Sequence, residues 1–518
     1  MGFSRKPPSF YFQEDRHPDQ IGRKTVQSYL YATGSNAVRF FINIASVSIL
    51  ARLLMPEDFG YVAMAAAFVS TPKMVTGQAL SMGIIQSPKI NPDQLNGFFW
   101  VCLGLTAVIT GLSVACSPLV AWFFNEPILT DMVRMMSLMI LFTGVCAIHY
   151  ALLNRTMQFG VISGIDLISG ILSKVVAVAL AVLGFGYWAL VMLPVSHEGI
   201  RAVLLWAACS FKPKFRQMNF KGKSLLKLGS TLSVAGIITS FSNEMDRILI
   251  GKFLTPQMLG IYSRSSALGE MPGKFIAWPL GRIAVSALSR FQQDPQGFQR
   301  FFLLLTQAYF LLIIPVFVWA YVSGDAIVLL ILGDNWQAAI PVFKILVFYF
   351  LFKNLARPFE WLLTATYASG TTARQIYVWT FSRNICFVAG VAAGLPGGVT
   401  GVAIAVAAAF LLFLLGSIYF FSSASFYDRP AFARLLLKTA VPGLISLCAA
   451  LLIIKQTALI HAFSHLIVIC ISFALVFGVF FLSFSCIPGS RDTLKNMIRT
   501  LNTILNQRKL PHAAKRKL

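Results

Sequence analysis

Eighteen charged side chains are placed inside stretches of this sequence that are otherwise apolar enough to cross a membrane. Twelve are basic: Arg39, Lys73, Lys174, Arg201, Arg247, Arg264, Lys274, Arg282, Lys344, Lys353, Arg357 and Arg383. Six are acidic: Asp166, Glu198, Glu244, Asp246, Glu270 and Glu360. A charge at the bilayer centre costs about 2.5–3.5 kcal/mol on an insertion scale, so six surplus cations would cost roughly 15–20 kcal/mol against lipid. A whole fold is worth only about 5–15 kcal/mol. Arg264, near the outer end of its stretch, can snorkel. The others must face water or partners.

Some have partners within their own helix. Glu244 and Arg247, Glu198 and Arg201, Glu270 and Lys274, and Arg357 and Glu360 are three or four residues apart, so each pair shares a face. Lys353 and Arg357 are like charges four apart and repel unless an anion joins them. Arg39, Lys73, Lys174, Arg282, Lys344 and Arg383 have no opposite charge at helical spacing. An acid on another helix could serve them. The alternative, preferred here, is a cationic, water-filled cavity that attracts an anion, as arginine and lysine do for phosphate. The candidate substrate-binding set is Arg39, Lys73, Lys174, Arg247, Lys274, Arg282, Lys353, Arg357 and Arg383.

Catalytic constellations are missing. The sequence has no phosphate-binding glycine loop, His/Cys metal cluster or nucleophile elbow. His149 and His197 stand apart and read as hydrogen-bonded core histidines. Asp246 has Arg247 beside it and reads as structural rather than as a proton relay. All eight cysteines lie in apolar runs without metal-ligand spacing, so no disulfide, metal or cofactor is expected.

The elements that carry these charges are membrane helices. Of 518 residues, 57% are hydrophobic and 12% charged, which describes an all-α polytopic membrane protein rather than several soluble domains. Spans are expected near 29–54, 59–85, 95–124, 132–153, 162–183, 186–209, 225–254, 259–289, 301–322, 337–363, 375–394, 398–421, 435–454 and 463–487. The domains follow from these: a polar tail at 1–28, an N-lobe at 29–210, a basic linker at 211–224, a C-lobe at 225–424, a helix pair at 425–487 and a basic tail at 488–518. Residues 1–28 are too polar for a signal peptide, and the first apolar run is too long for one.

A net charge of +24 would suggest nucleic acid in a soluble protein, but its placement excludes that. The tails and the even-to-odd connections hold roughly 27 of the 43 basic residues, which puts both termini in the cytoplasm. The densest loop, FKPKFRQMNFKGK from Phe211 to Lys223, reads as a topology determinant on an anionic leaflet. Trp122, Trp188 and Trp336 are expected in an outer aromatic belt. Leu494, Ile498, Leu501 and Leu505 recur at helical spacing beside basic residues, which suggests a helix lying on the inner surface. Every loop is short, leaving no room for a soluble catalytic domain.

The spans are duplicated. LARLLMPEDFGYVAMAAAFVSTPKMVTGQALSM, from Leu50, aligns without a gap at an offset of 200 residues on IGKFLTPQMLGIYSRSSALGEMPGKFIAWPLGR, from Ile250. Pro56 meets Pro256, Gly60 meets Gly260 and Pro72 meets Pro272, each inner proline closely followed by a lysine. An even number of spans per half gives a parallel repeat. Pro72 and Pro272 each remove a backbone hydrogen bond and are candidate hinges.

ILARLLMPEDFGYVAMA, DRILIGKFLTPQMLGIYSRSSALGEMP, FGYWAL and the FFNEP turn resemble the polysaccharide-export branch of the multidrug/oligosaccharidyl-lipid/polysaccharide transporter superfamily, the Wzx-type flippases. The likeness covers most of residues 25–425. It implies two six-helix lobes around a cavity that opens alternately inward and outward. It also implies an oligosaccharide on undecaprenyl pyrophosphate as cargo, moved from the cytoplasmic to the periplasmic leaflet of the bacterial inner membrane. Polysaccharide polymerase and chain-length proteins are the implied partners of a monomeric transporter, with membrane lipids around it. Related flippases place cavity cations on spans 1, 2, 7 and 8, where this chain has Arg39, Lys73, Arg247, Lys274 and Arg282. The last helix pair is similar to the extra pair of fourteen-helix flippases.

The expectation is a non-enzymatic flippase for exopolysaccharide, capsule or O-antigen units. A peptidoglycan-precursor flippase is the nearest alternative. A drug/cation antiporter needs cavity acids, and the first span offers Arg39 and no acid. A glycan polymerase, ligase or glycosyltransferase needs a large catalytic outer loop, which is missing.

Overall fold

The computed structural model describes residues 38–79, 81, 84–85, 92–214, 239–366, 373–421, 427–456 and 465–487. Among them every regular element is a helix. Helix α1 (Val38–Leu53) turns through 120° into α2, Pro56–Met74. There follow α3 (Pro92–Ala115), α4 (Ser117–Phe124), α5 (Leu129–Arg155), α6 (Phe159–Val182) and α7 (Tyr187–Ala208). Next come α8 (239–253), α9 (Pro256–Leu288), α10 (Pro295–Val322), α11 (Gly324–Leu332), α12 (Ala339–Leu355) and α13 (Arg357–Thr366). The chain continues through α14 (Ala373–Gly394), α15 (Gly398–Phe420), α16 (Arg429–Gln456) and α17 (His465–Cys486). Nine helical stretches among the described residues are long and apolar enough to cross a membrane, or ten if the bent α1–α2 pair is one span. This is a multi-pass, all-helical membrane protein.

Local chemistry sets the helix ends. Pro56 and Pro256 open α2 and α9, where the missing N–H has no partner to lose. Asp294 caps α10 by accepting from the Gly297 N–H at 3.0 Å. Asn125 ends α4 in the left-handed region at φ 60°. Shortly past Pro72, α2 widens into a π turn at Val75–Ala79. Pro272 lies inside α9, which remains helical to Leu288.

The chain divides into two compact units: residues 1–264 with 331–336, and residues 265–330 with 337–518. The division falls within α9 rather than in the basic linker. In the first unit, the α2 and α9 starts touch backbone to backbone. A methyl group at Gly60 would overlap the Pro256 carbonyl, and one at Gly260 would overlap the Pro56 carbonyl. Trp336 closes the same region and corrects one expectation. It is fully buried rather than placed in an aromatic belt, donating to the Ala51 carbonyl at 2.8 Å and meeting the Phe59 ring edge-on. The turn at Gly333, φ 92°, lies against Arg52 and brings the indole there. Helix α5 packs against α2, α3, α4 and α7, while α6 pairs with α7. Ser163, Ser169 and Ser173 give α6 a buried small-residue face that permits this close packing.

In the second unit, α10 packs on α12 and on the C-terminal pair α16 and α17. Gly269, Gly273 and Gly281 of α9 lie against Phe350, Asn354 and Trp361, where a methyl would stand 2.7–2.9 Å from the facing side chain. Trp319 donates to the Ile469 carbonyl at 3.1 Å and Ser323 meets Ser472 at 2.6 Å, fixing α17 to α10. Residues 1–37, 215–238 and 488–518, with the N-terminal tail, most of the basic linker and the proposed surface helix, lie outside the described residues.

Candidate functional site

The intramembrane charges gather into clusters that join helices far apart in sequence. In the first unit, Arg201 on α7 bridges two carboxylates. Its Nε donates to Asp166 Oδ1 on α6 at 2.9 Å, and its Nη1 lies 3.6 Å from Glu198 Oε2, one turn away on α7. Asp166 Oδ2 is 3.8 Å from Arg39 Nη1 on α1, and Glu198 Oε1 is 2.8 Å from Lys73 Nζ on α2. Lys174, two turns along α6 from Asp166, donates to the Gly170 carbonyl at 3.3 Å and lies within electrostatic reach of Arg39. Four helices therefore converge through their charges. The cluster holds Arg39, Lys73, Lys174 and Arg201 against Asp166 and Glu198.

Burial makes these contacts consequential. The Glu198 side chain is only 7% exposed, and a carboxylate there would be intolerable without its cations. The network is also incompletely satisfied. Arg39 Nε and Glu198 Oε2 are buried without a hydrogen-bond partner among the described residues.

A second cluster lies within the second unit. Glu270 on α9 meets Lys274 at 2.6 Å and Lys353 on α12 at 3.6 Å. Glu360 on α13 meets Arg383 on α14 at 2.6 Å. Lys353 feels Arg357, Arg383 and Glu360 electrostatically, which links the two pairs. The rings of Tyr349, Phe350 and Trp379 face Lys353 and Arg383 at 5.5–5.7 Å. Here Lys274, Lys353, Arg357 and Arg383 stand against Glu270 and Glu360. Among the described residues both clusters thus have four cations and two carboxylates, a surplus of two positive charges each.

Three of the local pairs expected from spacing form: Glu244–Arg247 at 2.6 Å, Glu198–Arg201 and Glu270–Lys274. The fourth is corrected, because Glu360 gives its oxygen to Arg383 rather than to Arg357. The anion expected between Lys353 and Arg357 is met in part by Glu270, a carboxylate of the protein itself. Four cations without a helical-spacing partner (Arg39, Lys73, Lys344 and Arg383) find one on another helix, Lys344 with Asp325 at 2.5 Å. The Arg282 side chain lies outside the described residues.

Arg264 is a separate case. Its guanidinium lies 5.0 Å over the Phe59 ring, and its Nε lacks a hydrogen-bond partner among the described residues. Asp246 Oδ1 accepts from the Arg247 backbone N–H at 2.8 Å. His149 is buried, with Nε2 3.2 Å from the Phe211 carbonyl and its ring against Trp206.

Residues 49–341 match the model of a family described as polysaccharide biosynthesis protein. The chain belongs to that family. It is 27% identical over 384 residues to the succinoglycan biosynthesis transport protein ExoT of Rhizobium meliloti (strain 1021), covering 73% of this chain and 75% of the relative. It is 20% identical over 351 residues to the lipopolysaccharide biosynthesis protein WzxC of Escherichia coli (strain K12), covering 67% and 70%. In fold it is similar to the lipid II flippase MurJ in an inward closed conformation, with a TM-score of 0.71, 14% identity, and coverage of 90% of this chain and 100% of that one. These matches agree with the resemblance read from the sequence, to Wzx-type flippases of the multidrug/oligosaccharidyl-lipid/polysaccharide superfamily.

Proposed function

We propose that this protein is a flippase that moves oligosaccharide units linked to undecaprenyl pyrophosphate from the cytoplasmic to the periplasmic leaflet, for exopolysaccharide, capsule or O-antigen assembly. The observation that carries the reading is the surplus of two positive charges that each cluster retains after all its carboxylates are counted. Within a membrane, such a surplus is tolerable when an anion from outside the chain completes it. A diphosphate diester brings two negative charges. Family membership and the transport protein among the relatives support the same class of cargo.

In this reading the head group enters from the cytoplasm and its diphosphate settles against Arg39, Lys73, Lys174 and Arg201, while the polyprenyl tail stays in lipid. Lys274, Arg282, Lys353, Arg357 and Arg383, with Arg247, complete the cationic path. The layout is fourteen spans as two six-helix lobes plus a C-terminal pair, with both termini in the cytoplasm of an inner-membrane protein. Rocking of the lobes, with Pro72 and Pro272 as hinges, exposes the sugar outward.

The direct test is a liposome assay with defined polyprenyl-diphosphate saccharides, run beside lipid II to separate the peptidoglycan-precursor alternative. In cells, Arg39→Ala and Lys73→Ala are expected to abolish polysaccharide export with protein level unchanged. Wild-type export in both variants would remove these residues from the site.

A further inference from the structure

The acids of the two clusters are as well placed as the cations. Glu198 is the most deeply buried member of its cluster and occupies Lys73, at 2.8 Å, together with Arg201. Asp166 occupies Arg201 and Arg39. In the second unit Glu270 occupies Lys274 and Lys353, and Glu360 occupies Arg383. Six of the eight cluster cations are thus held by protein carboxylates. A carboxylate and a phosphate present the same oxygen geometry to arginine, so they compete for one guanidinium rather than share it.

We infer that Asp166, Glu198, Glu270 and Glu360 are resident stand-ins for phosphate: they hold the cations while no cargo is bound, yield them to a diphosphate, and reclaim them as it leaves. The inference rests on the flippase reading and adds the device that makes release possible. Four cations in a partly water-excluded site would alone grip a dianion too tightly to let it go, because Coulomb attraction strengthens as water is excluded. Two internal carboxylates lower that grip in two ways. They repel the incoming phosphate, and they return the cations to satisfied partners when it departs. Arg39 Nε, buried without a hydrogen-bond partner among the described residues, leaves a donor for a phosphate oxygen. Arg201, shared between Asp166 and Glu198, is the residue whose partners change most when a phosphate enters.

These acids are therefore positioning residues that set affinity downward and turnover upward. The test uses the full chain in lipid nanodiscs and a soluble analogue, farnesyl-diphospho-N-acetylglucosamine, as the probe. Kd is measured for the wild type and for Asp166→Asn, Glu198→Gln, Glu270→Gln and Glu360→Gln, and transport is followed in liposomes. Each amide keeps the side-chain shape and removes one charge. The expected result is binding at least about tenfold tighter, about 1.4 kcal/mol, together with slower turnover, so that KM and kcat fall together.

A purely structural role would weaken binding or leave it alone, and could not tighten it. Unchanged or weaker binding in variants that melt like the wild type overturns the inference. Should Glu198→Gln fail to fold, the less buried Asp166 and Glu360 carry the same test. If the wild type itself does not bind the diphosphate probe, the flippase reading falls first, and the two failures are told apart by that single control.

Discussion

Replacing Gly60 with alanine tests whether the duplicated glycine is a backbone contact rather than a relic of repetition. A methyl there would overlap the Pro256 carbonyl oxygen and stand 3.0 Å from the Pro256 Cα. The overlapped oxygen is closer than the Cα and sets the shift, so with non-bonded carbons packing at about 3.5–4.0 Å α2 must move from the start of α9 by more than about 1 Å. A gap of that size forfeits about half or more of each local dispersion contact. Forced overpacking of this kind costs about 1–3 kcal/mol, and both close atoms are backbone, which puts this case at the upper end. A loss of about 3 kcal/mol lowers the melting temperature by about 6–12 °C on the scaling for larger domains. The assay is thermal melting of detergent-solubilised protein, read by the fraction remaining monodisperse. Gly104 and Gly111 of α3 supply the control, since a methyl at either meets nothing within 4 Å. Alanine there is expected to leave stability unchanged or to raise it by up to about 1 kcal/mol through helix propensity. Gly260→Ala should match Gly60→Ala, and the double variant should lose less than the two losses added, because one parted interface serves both. Wild-type melting of Gly60→Ala would refute the reasoning, since no side chain stands between the two backbones to absorb the methyl.

Trp336→Phe keeps a ring against Phe59 but loses the hydrogen bond to the Ala51 carbonyl, with an expected cost of about 1–2 kcal/mol in the same melting assay. Trp336→Ala should cost about 3–5 kcal/mol by cavity formation. Pro72→Ala and Pro272→Ala separate a moving bend from a packing kink. A moving bend slows liposome transport with the Kd for cargo unchanged, whereas a passive kink yields a protein with higher thermal stability and normal transport.

Much of the fold was legible because its signals are local. Apolar runs mark the helices, and Pro56 and Pro256 mark two of their starts. Charge partners were legible only along one helix. Spacing finds Glu244–Arg247 and Glu270–Lys274, but cannot find Asp166–Arg201 or Lys73–Glu198, whose helices meet only by packing. Glu360 illustrates the limit most sharply. Two arginines compete for it, one three residues away and one on α14, and the distant one takes it because the pairing of α14 against its neighbours brings it to 2.6 Å. The burial of Trp336 is illegible for a related reason: composition at a helix end cannot distinguish an interfacial ring from one folded back under a glycine turn.

The repeat itself carried more than its alignment. Equivalent positions in two copies can touch each other only at an axis relating them, and there each must present the same surface to its mate. Gly60 on Pro256 and Gly260 on Pro56 satisfy that condition reciprocally. A side chain at either glycine would have to be accommodated twice, so the smallest residue is retained in both copies for a physical reason. The charge clusters do not obey the same rule. The first draws on α1, α2, α6 and α7, the second on α9, α12, α13 and α14, yet both end at four cations and two carboxylates. Lys73 and Lys274, each just past its repeated proline, are the shared point of the two clusters, and the remaining charges reach the same total from different positions.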